Sequence, residues 1–177
     1  MNLQPAVLAS AILAAGMTMA PAAHAVTQSR FTNQPGGPSC QLSVPTTASA
    51  VRPRASGYRN EGTTSAFVIC QTDSSTGFLT DTYAILQSLD STAKNITCTG
   101  TAGFNFLAAG SDIAYSPQTV ATNSSAGTYG LYHWDATSFG GAVGSNIPGG
   151  GFSVTCNLPP QSEITFLEIA YNEDVGN

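Results

Sequence analysis

The stretch Phe152-Ser153-Val154-Thr155-Cys156-Asn157-Leu158 alternates without a break, with Phe, Val, Cys and Leu at even positions and Ser, Thr and Asn at odd ones. A period of two with one apolar face is what a half-buried antiparallel strand requires. The same pattern recurs on either side. Residues 95–99 place Ile96 and Cys98 on one face, 101–108 bring Phe104 and Phe106 together, and 128–136 set Tyr129, Leu131 and His133 against Tyr132 and Trp134. Residues 64–72 read as a strand with Phe67, Val68, Ile69 and Cys70 as a buried middle. Residues 163–172 divide into Ile164 and Phe166 against Thr165, Leu167, Ile169 and Tyr171. Residues 82–89 fit either a strand or a helical turn. Turn-rich segments separate these runs: 73–77, 108–112, 123–127 and the glycine-rich 140–151. No segment keeps a 3.6-residue apolar period over three turns. An all-β fold follows, an antiparallel two-sheet sandwich, with a small β-barrel as the alternative.

Residues 1–25 hold no Asp, Glu, Lys or Arg and carry an apolar centre from Val7 to Ala15 broken only by Ser10. They end in Ala23-His24-Ala25, which fits the small-x-small rule of signal peptidase. The apolar run falls short of the ~20 residues that a membrane span needs. Residues 1–25 therefore read as a cleavable export signal that leaves no stable membrane span. Residues 26–39, with Pro35-Gly36-Gly37-Pro38, read as a flexible lead-in, and 40–177 as a single domain. The expected destination is the outside of the cell, the periplasm or the cell surface.

Four cysteines, Cys40, Cys70, Cys98 and Cys156, lie beyond the signal. An even count in an exported chain implies two disulfides. Of three possible connectivities, the expected one joins consecutive cysteines, Cys40–Cys70 and Cys98–Cys156. No C-x-x-C occurs, and His133 is the sole imidazole after residue 25, so neither a metal nor another cofactor is expected. The net charge is −5 with only five Lys and Arg. That balance excludes nucleic acid as a partner and disfavours anionic membrane surfaces.

Reactive constellations are thin. His133 and Asp135 share a strand face, but no G-x-S-x-G turn presents a nucleophile. Glu163, Glu168, Glu173 and Asp174 are the carboxylates available to a glycosidase pair. Glu168 interrupts the apolar stretch FLEIAY, either as a buried or cleft-facing acid or on the exposed face of an edge strand. Tyr132 and Trp134 form a small aromatic platform if their face is open, and core if it is not. No catalytic residue is nominated; the candidate ligand contacts are Tyr132, Trp134 and Glu168.

The segments YRNEGTTSAFVIC, NITC and FSVTCNLPPQSEITFLEIAYNED together resemble a broad group of small exported bacterial proteins of unknown function. The likeness rests on Asn60, the strand cysteines Cys70, Cys98 and Cys156, and the exit Leu158-Pro159-Pro160. It implies a secreted β-sandwich and no activity. The expected function is a non-catalytic extracytoplasmic module that meets a surface or a ligand such as an extracellular glycan or protein. The alternatives are a secreted polysaccharide hydrolase with paired carboxylates and a subunit that assembles by strand pairing.

Overall fold

The structure, a computed structural model, describes residues 26–44, 50–72, 78–103, 113–122, 129–149 and 151–176. Along the chain come β1 (Thr27–Pro35), a one-turn helix α1 (Gly36–Ser39), β2 (Cys40–Leu42), β3 (Val51–Arg54) and β4 (Gly57–Asn60). Then follow β5 (Ala66–Gln71), β6 (Phe78–Ser88), β7 (Lys94–Ala102), β8 (Ala114–Thr122) and β9 (Gly130–Asp135). A 3-10 turn (Ala136–Phe139), β10 (Phe152–Leu158) and β11 (Ser162–Asp174) complete the chain.

Two antiparallel sheets result. The first has the order β3-β4-β11-β6-β9, and β1 joins it along the C-terminal half of β11, on the side where β4 holds the N-terminal half. The second has the order β2-β5-β10-β7-β8. The architecture is the sandwich, not a closed barrel. No described helix is long and apolar enough to cross a membrane.

Each sheet turns alternate residues inward. The second sheet contributes Val68, Cys70, Ile96, Cys98, Val154, Cys156 and Leu158, and the first contributes Leu79, Leu86, Tyr132, Trp134, Ile164 and Leu167; all are buried. Both disulfides lie within the second sheet and join residues directly opposite each other, Cys40 to Cys70 and Cys98 to Cys156, with Cα atoms 4.0 Å apart. Direct opposition explains the pairing, because cross-strand neighbours bring their β-carbons close without moving the backbone. Trp134 stands over Gly100, where a Cβ would come within 2.7 Å of the indole Nε1. The glycine makes the space that the largest core side chain fills.

Three local readings change. Phe67 and Ile69 turn away from the core while Val68 and Cys70 turn into it, so β5 alternates instead of burying a continuous run. In β11 a bulge between Ile164 and Phe166 resets the phase. Ile164 thereby joins Leu167 and Ile169 in the core, and Phe166 faces the other way, which a strict period of two does not allow. Residues 27–35, read as lead-in, form a nine-residue strand on β11. That strand is held by its main-chain ladder, with side chains exposed, and so leaves no apolar signature. Residues 1–25 and the pair Phe104 and Phe106 lie outside the described residues.

Candidate functional site

The solvent face of the first sheet can be built row by row from the strand registers. Asn33, Glu168, Tyr83 and His133 lie abreast across β1, β11, β6 and β9. On one side of them stand Pro35, Phe166, Ile85 and Leu131, and on the other Phe31, Ala170, Asp81 and Asp135. Tyr83 and His133 stack with ring centroids 4.5 Å apart, and His133 Nε2 lies 2.8 Å from Asp81 Oδ1. Burial, then the charges of Asp81, Glu168 and Asp135, raise the Tyr83 phenol above its ordinary range. Asp135 caps the 3-10 turn by accepting from Thr137 Oγ1 and Ser138 N, and the Thr137 hydrogen bond holds its carboxyl below the usual range.

The cations are spent elsewhere. Arg30 pairs with Glu173, Arg52 and Arg54 with Glu61, Arg59 with Glu163, and Lys94 with Asp90, which accounts for all five basic residues. Glu61, gripped by Arg54 and then Arg52, is held down to about 2. Glu163 is completely buried and meets Arg59, Ser56 Oγ at 3.0 Å and Gln87 Nε2. It anchors the β3–β4 hairpin to β11 and β6, a structural use of a carboxylate that was a catalytic candidate.

Beneath β1 the two sheets part. The second sheet stops at β2 and β5, and an open groove of about 820 Å³ runs between its edge and β1. Thr32, Gln34, Ser39, Gln41, Gln71 and Thr72 line it, with Pro35, Pro38, Ile69 and the Cys40 end of a disulfide as its apolar part. Among the described residues of this lining none is ionisable apart from the bonded cysteine. A shallower cavity of about 300 Å³ lies on the outer side, against Asn33, Pro35, Ser56, Thr165 and Phe166. A Cβ on Gly36 or Gly57 would stand 2.2 or 2.3 Å from the carbonyl oxygen of Ile164, so both turns press on the β11 bulge.

The sequence candidates separate. Tyr132 and Trp134 are fully buried; Trp134 Nε1 donates to the Ser116 carbonyl at 2.9 Å and Tyr132 Oη donates to the Ile96 carbonyl. Their face is core, and they offer a ligand no surface. Glu168 stands half-buried on the solvent face of β11, a central strand with Asn33 and Tyr83 as cross-strand neighbours, and so lies neither at an edge nor in either groove. His133 and Asp135 do share a face, but the imidazole bonds Asp81 of β6. Among the described residues no group of three or more His, Cys, Asp or Glu side chains is arranged to hold a metal ion. The groove residues leave no mark in the sequence because Thr, Gln and Ser on β1, β2 and β5 look like any solvated strand. Comparison with protein-family models, curated proteins and solved structures finds no match, and the functional reading rests on geometry.

Proposed function

We propose that this chain is an exported, non-catalytic binding module of the extracytoplasmic space, and that the groove beneath β1 takes a neutral, hydroxyl-rich ligand of the glycan class. The observation that carries the reading is the lining itself, amides and hydroxyls beside Ile69 and two prolines along about 820 Å³, with no titrating group among the described residues. Amide side chains both donate and accept, which matches the mixed donors and acceptors of sugar hydroxyls. The volume falls within the range of small-ligand sites. Glycoside hydrolysis, by contrast, needs two carboxylates across the scissile bond. Glu168 has Tyr83 and Asn33 beside it instead. Export is supported by the apolar leader with its Ala23-His24-Ala25 ending, and two disulfides suit an oxidising compartment.

The test is a glycan array probed with the full chain, expressed with its leader and recovered after export. Retention on one or more neutral glycans is expected, with affinity unchanged by added salt because the described lining carries no charge. Gln41→Ala and Gln71→Ala, both at exposed positions, are expected to weaken binding roughly tenfold each, the loss of about one hydrogen bond. A blank array, or native affinity in both variants, would refute the assignment.

A further inference from the structure

Among the described residues β1 pairs with one strand, β11, over nine residues with no break in register. The phase of that ladder is fixed at its start, where Val175 N donates to the Val26 carbonyl at 3.1 Å. Bonded and non-bonded pairs alternate in an antiparallel ladder. Gln28, Arg30, Thr32 and Gln34 therefore turn their backbone groups toward β11, while Thr27, Ser29, Phe31 and Asn33 turn theirs to the free edge. Pro35 falls in the outward set, where its missing N–H takes nothing from β11.

The other edges are guarded. β8 and β9 are stitched across the open side of the sandwich: Trp134 Nε1 donates to Ser116 O (2.9 Å), Val120 N to Tyr132 Oη (3.3 Å) and Gln118 Nε2 to His133 O (2.6 Å). β2 and β3 are three and four residues long, and β3 contains Pro53. β1 is different. Its one charge, Arg30, is drawn into the pair with Glu173, and its middle is Phe31, 73% exposed on the outer face. Charges and bulges are what ordinarily keep such edges apart. The second sheet also stops short beneath β1, which leaves room beside it.

We infer that two copies of this chain join edge to edge through β1, antiparallel about a two-fold axis at Phe31. This register pairs the full strand. Phe31 of each copy opposes Phe31 of the other, and Ser29 opposes Asn33, all from the outward set that β11 leaves free. The two Phe31 rings then lie side by side on one face, and the two six-stranded sheets become continuous. A centre on Arg30 or Thr32 also pairs outward groups with outward groups but leaves two residues of the strand unpaired, whereas a centre between two residues sets outward groups against those already bonded to β11.

Sedimentation of the full chain, recovered after export, reads the outcome. The native protein is expected to sediment as a dimer at roughly 100 μM. Phe31→Lys, a change at an exposed position, sets two ammonium groups opposite each other and is expected to weaken the dimer at least ~100-fold. Ser29→Pro removes an outward N–H and is expected to weaken it as well, with the melting temperature of the dilute protein unchanged in both variants. A native monomer at that concentration overturns the inference. So does a dimer that survives both substitutions, since exchange of β1 onto the β11 of another copy would leave the outward edge unused.

Discussion

At the scale of single residues, the most consequential polar group is Asn60, which is completely buried. Its Nδ2 donates to the carbonyls of Thr64 (2.8 Å) and Leu158 (2.9 Å), and its Oδ1 accepts from Gly62 N (2.9 Å). One amide thus ties β4 of the first sheet to the end of β10 in the second. Asn60→Ala leaves three backbone groups short of a partner and is expected to cost about 2–3 kcal/mol in urea unfolding without reductant. Asn60→Asp retains the acceptor and loses the donors, so it is expected to recover only part of that loss. Thr82 is the opposite case. It is fully buried, and its hydroxyl has no hydrogen-bond partner among the described residues. Thr82→Val keeps the shape and removes the stranded hydroxyl, so a gain of about 1 kcal/mol is expected in the same assay. An Asn before a strand is visible in the sequence. That this one is the bridge between sheets, or that Glu163 is an anchor and not a reagent, depends on partners about a hundred residues away, which spacing does not encode.

At the scale of elements, a strand was legible wherever the core took one of its faces. β10, β7 and β9 show it: Phe152, Val154, Cys156, Ile96, Cys98, Tyr132 and Trp134 all face inward. β8 leaves no such trace because the positions it turns inward are filled by Ala, Ser, Gln, Val and Thr, which carry no apolar stripe. β1 was missed because hydrogen bonds hold it, and backbone groups are the same in every residue. The disulfides raise a prediction at this scale. They close loops with separations of 30 and 58 residues. Doubling a loop adds only about 0.6 kcal/mol of closure entropy, so loop length barely ranks them. All four cysteines are buried, and strand position ranks them instead. Cys98 and Cys156 sit fully buried on strands with neighbours on both sides, whereas Cys40 lies on the three-residue edge strand β2. Replacing Cys98 and Cys156 together by Ala is expected to cost about 5 kcal/mol, against about 3.5 kcal/mol for Cys40 and Cys70, because the short edge strand β2 can move in to close the space left behind and the central strands β7 and β10 cannot. Urea midpoints of the two double variants check the order, and equal midpoints would show that loop entropy alone operates.

For the whole molecule the decisive property is how few charges it carries and where its titrating groups sit. Burial pushes the Tyr132 phenol up to about 12, and Tyr58 and Tyr83 are raised in the same sense, again mainly by burial. Above pH 10 the unfolded chain ionises its tyrosines while the folded chain does not, so protons leave the unfolded state first and stability falls. For Tyr132 the fall is roughly 1.4 kcal/mol per pH unit between about 10 and 12. At the acid end the signs reverse. Glu61 is held down to about 2 by its arginines, and hydrogen bonds hold Asp90 and Asp135 below the usual range, those of Asp90 coming chiefly from Thr92 and Lys94. Their stabilisation is complete above the ordinary carboxylate range near 4 and disappears as pH drops toward 2. Urea midpoints taken from pH 2 to pH 12 are therefore expected to fall away at both ends, and Tyr132→Phe should flatten the alkaline limb specifically. The substitution removes a hydroxyl that donates to the Ile96 carbonyl, so the variant begins lower at neutral pH. The native and variant curves should then converge as pH approaches 12, and two parallel curves would show that Tyr132 does not govern the alkaline limit.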